Sequence, residues 1–245
     1  MPENQPVQFE RDRRVLIVAA QGRELSSLRR AADPRLALLE TGEGIENARR
    51  AIGSWLDAET PRAVVGMGFA GALSDSLKVG DLVIARESRS RGETVAASQV
   101  MLEAAGRAQG NGSVLRFGVT VTVDEVVCRA VGKRELAMTL APGEVGCVDM
   151  ESAAIAGLCA QRGIPFVVAR CISDLYAEDL PVDFNRCRGA DGRISNWKVV
   201  VSALRRPASL GALWQLRRRS TDCSQKLAAF VGGLVTELER TVSDR

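Results

Sequence analysis

Pro165-Phe166-Val167-Val168-Ala169-Arg170-Cys171-Ile172-Ser173-Asp174 is an apolar run of strand length that ends in an acid. Just upstream stands Asp149-Met150-Glu151, and Ser152 to Gly163 reads as a short helix between the two. The order is acid, helix, buried strand, acid, which is how a parallel α/β sheet delivers two carboxylates to one cleft. Ligands of such sheets bind outside the carboxyl ends of the strands, so position alone makes Asp174 a candidate site residue. Ser-Asp is also common turn chemistry, and a capping or turn role for Asp174 stays open at this level.

The rest of the chain fits the same architecture. Arg14 to Ala20 is a continuous apolar run ended by Gln21-Gly22 and reads as a buried parallel strand. Leu36 to Leu39 leads into Thr41-Gly42-Glu43-Gly44, and Ile45, Ala48, Ile52 and Leu56 then follow at helical spacing. Ala63-Val64-Val65, Asp81 to Ala85 and Phe117 to Val123 add strands, and Leu227, Phe230, Val231, Leu234, Val235 and Leu238 form the apolar stripe of a last helix. Alternating strands and helices argue α/β. The 245 residues suffice for one large domain, and no linker divides them.

Composition excludes several chemistries. The chain has no histidine, which removes the commonest general base, His-containing triads and His-ligated metal sites. Acid-base work falls to Asp, Glu, Lys, Tyr or Cys. The single tyrosine, Tyr176, lies two residues after Asp174, where its ring either covers a ligand or simply packs. Six cysteines with no C-x-x-C pair suit a reduced, cytoplasmic protein, and the polar stretch Met1 to Arg14 and the absence of a long apolar run argue against secretion or a membrane span.

Net charge is only +3, yet from Arg186 to Arg219 nine basic residues stand against one acid, Asp191. With Leu204, Leu210, Leu213, Trp214 and Leu216 they form a basic, amphipathic region containing helical stretches around Lys198 to Leu204 and Leu210 to Leu216. That composition suits peripheral contact with an anionic membrane, and a solvated face or subunit interface accounts for it equally. The lack of interleaved aromatic residues argues against nucleic acid.

Gly66-Met67-Gly68-Phe69-Ala70-Gly71 has the spacing of a dinucleotide fingerprint, but only nine residues separate Gly71 from the strand starting at Asp81. A crossover helix needs roughly 10 to 12 residues or more, so a nucleotide cofactor is not expected. The glycines are expected instead to let backbone amides approach a small ligand.

Here the residues reach a family. Gly68-Phe69-Ala70-Gly71-Ala72-Leu73, Ser76-Leu77-Lys78-Val79-Gly80-Asp81-Leu82-Val83, Val148-Asp149-Met150-Glu151-Ser152-Ala153-Ala154-Ile155-Ala156 and Pro165 to Asp174 together resemble the purine nucleoside phosphorylase and methylthioadenosine nucleosidase superfamily. The resemblance covers roughly Arg14 to Asp174. It implies one three-layer α/β/α domain over residues 1–245 with a central mixed, mostly parallel sheet, and a helical basic extension, residues 186–245, packed on the core of residues 14–174. The extension, rich in Leu-Arg-Arg-Pro, is similar to that of a hopanoid-associated phosphorylase branch, whose substrate is an adenosyl group on a large lipid.

What the resemblance implies is cleavage of the N-glycosidic bond of an adenine-type nucleoside, by phosphate or by water. Such a reaction passes through an oxocarbenium-like ribosyl cation, so the site must hold the sugar hydroxyls, support positive charge and improve the leaving group. By this likeness Met150 and Glu151 hold ribose, Asp174 is the acid at purine N7, and Val126, Asp149 and Ser173 lie beside the base. Glu24 positions an attacking water, while Arg23, Gly68 and Phe69 form the phosphate or water site. An acid at N7 is useful if burial raises its pKa toward neutrality.

Departures from the family pattern are Phe69 in place of a hydroxyl residue, Asp149 in place of a glutamate, and an aliphatic wall at Val126 or Val127 where relatives stack an aromatic ring. The resemblance implies no metal and no cofactor beyond phosphate as a possible co-substrate, and it implies a homo-oligomer. A phosphorylase acting on the lipid-linked adenosyl group and a non-catalytic nucleoside-binding protein are the alternatives.

Overall fold

The first strand, β1 (Val15–Ala19), is buried along its whole length. Its alternate side chains leave on opposite faces, with Val15, Ile17 and Ala19 in one core and Leu16 and Val18 in another. A strand apolar on both faces requires cover on both. The computed structural model, which describes residues 14–108, 114–187 and 208–243, supplies that cover.

The other strands are β2 (Leu36–Glu40), β3 (Ala63–Ala72), β4 (Leu82–Ser90), β5 (Glu93–Ala96), β6 (Leu115–Thr122), β7 (Gly146–Asp149) and β8 (Phe166–Asp174). The helices are α1 (Ser26–Ala31), α2 (Ile45–Ala58), α3 (Gln99–Arg107), α4 (Ala130–Ala137), α5 (Ser152–Gln161) and α6 (Ala208–Ser243), and Asn185–Cys187 forms a 3-10 turn. α1, α3 and α6 pack on the face bearing Ile17, and α2 and α5 on the face bearing Leu16.

The mixed α/β fold around a central sheet is as expected, but the sheet is not simply open. β1 pairs in parallel with β2 and β3, β3 with β8, β4 with β6, and β6 with β7. Antiparallel pairings join β3 to β7, β4 to β5 and β4 to β8. The path β3-β8-β4-β6-β7 therefore returns to β3, and part of the sheet closes into a barrel-like ring. Register shifts at Ala70/Gly71 and Ala85/Glu87 accompany the closure, as expected of irregularities that bend strands.

Closure depends on β3 being longer than its sequence suggested. Ala63 to Gly66 serves β1, whereas Gly71 and Ala72 pair with β7 and almost the whole strand runs beside β8. The glycine-rich segment is thus part of the strand.

α6 is one helix of 36 residues, so the expected stretch Leu210 to Leu216 and the last amphipathic helix are continuous. Leu227, Phe230, Val231, Leu234, Val235 and Leu238 are buried in the core against β1, β3 and β8. Side chains of this kind contribute roughly 1.5–3 kcal/mol each before conformational entropy is counted, which explains why this half of α6 docks. Toward its start the helix leaves the core, and Trp214 is exposed. The stretch Lys198 to Leu204 and the Leu204-Arg205-Arg206-Pro207 sequence lie outside the described residues. Among the described residues no helix is long and apolar enough to cross a membrane.

Candidate active site

β8 delivers two charged side chains, Arg170 beside Gly68 and Asp174 beside Gly71, with the register shift of the β3–β8 pair between them. Arg170 had no role in the sequence reading, although a charge inside an otherwise apolar strand was the signal that marked it. Its side chain is 1% exposed. The guanidinium meets the Asp149 carboxylate at 2.6 Å, lies 3.9 Å from Glu151, and donates to Ser152 Oγ at 3.0 and 2.9 Å. Burial works against its charge, and Asp149, Glu151 and Glu24 more than reverse that, so Arg170 holds its proton more tightly than an exposed arginine.

Asp149, expected beside a base, is fully engaged by protein. Thr122 Oγ1 donates to its Oδ1 at 2.8 Å, Ser152 Oγ donates to Oδ2, and Arg170 completes the set. It anchors Arg170. Thr122 and Ser152 were likewise not singled out, since small hydroxyl residues in apolar context carry no distinctive pattern.

Glu24 stands at the other side of Arg170. The loop after β1 turns it inward, and its Oε1 accepts from Phe69 N–H and its Oε2 from Gln21 N–H, both at 2.9 Å. Burial raises its pKa above the ordinary carboxylate value, opposed by those N–H groups, Arg170 and Arg23. The Phe69 amide is therefore spent on Glu24 and not on a ligand. Arg23 itself is exposed, with its guanidinium 5.7 Å from the centre of the Phe69 ring.

The glycines of β3 explain this packing differently from what was expected. A Cβ on Gly68 would lie 2.2 Å from Arg170 Nη1 and 2.9 Å from Glu24 Oε1. One on Gly71 would lie 2.9 Å from Asp174 Oδ2 and 3.4 Å from Lys133 Cε. Each glycine makes room for a pair of charged side chains rather than exposing an amide to a ligand.

Met150 and Glu151 follow β7 and are both buried. Glu151 Oε1 accepts from Gly44 N–H at 2.7 Å, and Gly44 at φ 93° takes a backbone conformation that favours glycine. Burial pushes the Glu151 pKa up to about 8; Asp149 and Glu24 add to this, and Arg170 and the Gly44 N–H oppose it. Burial is the largest cause at both Glu24 and Glu151, and at Glu151 the neighbouring carboxylates add to it.

Asp174 ends β8 with its side chain buried. Ser173 Oγ donates to Asp174 Oδ1 at 2.7 Å, and the Lys133 ammonium forms an ion pair with Oδ2. Lys133 was missed because Val131-Gly132-Lys133-Arg134-Glu135 looks like a solvated helical face, yet its side chain is wholly buried. Tyr176 packs against the cluster of Ala70, Ala72, Leu77, Val83, Cys147 and Ile172. Val126 is half-buried, and its N–H and C=O are both held by the Asn185 side chain at 2.9 Å. Among the described residues no group of three or more Cys, Asp or Glu side chains is placed to hold a metal ion.

Buried acids gather at the ends of β1, β7 and β8 around the glycines of β3, each held by main-chain amides or a buried cation, and make this an α/β protein with a candidate site rich in acids. The Phosphorylase superfamily model matches residues 27–192, and the chain belongs to that superfamily. It is 34% identical over 166 residues to the 5′-methylthioadenosine/S-adenosylhomocysteine nucleosidase of Shewanella oneidensis, covering 59% of this chain and 70% of that protein. The Neisseria meningitidis nucleosidase of the same name, solved with methylthio-immucillin-A, superposes with a TM-score of 0.65 at 23% identity over 89% of this chain and 98% of that one. A futalosine hydrolase mutant of Helicobacter pylori superposes with a TM-score of 0.69 at 17% identity over 92% and 99%. At these identities the solved structures establish the fold.

Proposed function

We propose that this chain cleaves the N-glycosidic bond of an adenine nucleoside by hydrolysis, with a 5′-thio-substituted adenosine such as methylthioadenosine as substrate class. The observation that carries the reading is the placement of Glu24 and Asp174 at the two ends of the Gly68–Gly71 segment. Three residues of strand span about 10 Å, the scale of a nucleoside. Asp174 serves the purine, Glu151 and Met150 the ribose, and Glu24 the attacking water.

The steps follow from the charges. Cleavage of the C1′–N9 bond leaves positive charge on the sugar, which the acid-rich surroundings of Arg170 support. Glu24, with a pKa raised by burial, is a stronger base than an exposed carboxylate and is suited to accept the proton of the attacking water. Hydrolysis is favoured over phosphorolysis because the Phe69 amide is occupied by Glu24 and Arg23 lies against the Phe69 ring. The reading takes the chain as one domain that works as a cytoplasmic homo-oligomer without cofactor.

The test is release of adenine from adenosine and methylthioadenosine with and without phosphate, following the free sugar (ribose or methylthioribose) and its 1-phosphate. Release without phosphate is expected, and Glu24→Gln is expected to lower kcat by about 10²–10³-fold, the range of a lost general base. Strict phosphate dependence would overturn hydrolysis. No release of adenine under either condition would overturn the nucleosidase reading itself.

A further inference from the structure

Lys133 on α4 is completely buried, and its three N–H donors are all used. Two go to the main-chain oxygens of Leu175 at 2.8 Å and Glu178 at 2.9 Å, and the third meets the Asp174 carboxylate. The turn after Asp174 is independently tied down. Leu180 N–H donates to Cys128 O at 2.8 Å, Asp179 Oδ1 accepts from Ala130 N–H at 2.7 Å at the start of α4, and Arg219 of α6 reaches both oxygens of Glu178 at 2.8 Å. Bracing this turn thus does not require a buried ammonium, and burying one is expensive unless it is paired. Gly71 keeps the space that lets the ammonium and the carboxylate meet.

We propose that Lys133 is a positioning residue of the leaving-group step: it fixes Asp174 and stabilises the carboxylate that Asp174 becomes when it gives its proton to the purine. The proposal rests on the nucleosidase reading above. The C1′–N9 bond breaks with its electron pair moving into the purine, N7 takes the proton from the Asp174 carboxyl, and the resulting carboxylate remains beside the Lys133 ammonium. Solvent returns the proton after the base departs. A cation fixed where negative charge develops needs no reorganisation during the reaction, which is the most effective way for a charge to act in a buried site.

The experiment compares two leaving groups in the full chain. Methylthioadenosine needs protonation at N7, whereas p-nitrophenyl riboside releases a phenolate that does not. Lys133→Met is expected to lower kcat on methylthioadenosine by about 10²-fold and to change turnover of p-nitrophenyl riboside less than about 3-fold. Lys133→Arg keeps the charge and is expected to recover most of the methylthioadenosine turnover; it also serves if Lys133→Met does not fold, and a selective loss in Lys133→Arg as large as that in Lys133→Met would overturn the proposal. Equal losses on both substrates, or no loss on either, would reduce Lys133 to a brace. Asp174→Asn is measured alongside: full activity there would overturn the site reading, whereas inactive Asp174→Asn beside fully active Lys133→Met would overturn only the role of Lys133.

Discussion

The two ends of the site solve opposite electrostatic problems with the same strand. At one end Arg170 is a single cation among Glu24, Asp149 and Glu151; at the other, Lys133 is a single cation facing the single acid Asp174. The first end carries surplus acid and holds protons above the ordinary carboxylate range. The second is a balanced pair. In the proposed reaction the difference has a direct use, since positive charge develops on the sugar and negative charge on the departing base. β3 serves both ends by omission, with Gly68 beside Arg170 and Gly71 beside Asp174 in the strand register.

The hardest test of this contrast is Arg170→Met. Removing Arg170 leaves the Asp149 carboxylate without its buried ion-pair partner, and breaking a buried pair in this way costs about 3–5 kcal/mol. Chemical denaturation should show that loss near neutral pH. A variant as stable as the parent at neutral pH would mean that Arg170 does not organise this end.

A smaller change separates the ends sterically. Gly68→Ala places a methyl within 2.2 Å of Arg170 Nη1 and 2.9 Å of Glu24, so both must shift in a packed interior. Forced displacements of this kind destabilise by about 1–3 kcal/mol. Thermal unfolding should register the loss, and turnover of p-nitrophenyl riboside should fall with it because Glu24 is displaced. Gly71→Ala acts at the Asp174 end instead and should depress methylthioadenosine turnover more than that of the riboside. The same ratio for both variants would erase the distinction between the ends.

How much of this was legible in sequence follows from the physics of each residue. Asp174 and the acids of Asp149-Met150-Glu151 stood out because an acid at the end of an apolar strand or at a helix start has a position that patterning reveals, whereas Glu24 was marked by the family likeness. Arg170 was visible as a charge within an apolar run but lacked a partner, which sequence cannot supply. Lys133 was not visible at all, because a lysine among charged helical neighbours has the same pattern whether it faces water or the core. The ring closure of the sheet was hidden in Gly66 to Gly71, where the apolar run Ala63-Val64-Val65 gives way to glycines although the backbone continues as strand. Asp149 was placed beside the base by the family likeness, and its partner Arg170 was not visible in sequence.

The subtlest consequence of the contrast is a pH dependence that belongs to the acid-rich end. The pKa of Glu151 rises from its ordinary 4.5 to about 8 on folding, with burial the largest cause. Between those values the folded chain keeps a proton that the unfolded chain has released, so raising the pH favours unfolding. The stabilisation from this group is complete below the unfolded value and is lost as pH rises through the folded one. Glu24 is shifted in the same direction and adds to the slope. Unfolding free energies of the parent and Glu151→Gln, measured across this range, should therefore converge or cross in favour of the variant as pH rises, because glutamine keeps a neutral side chain at every pH. A parent-to-variant difference that stays constant would show that Glu151 changes its charge no differently in the folded and unfolded chains. The surplus of acid around Arg170 would then be neutralised by some means other than retained protons.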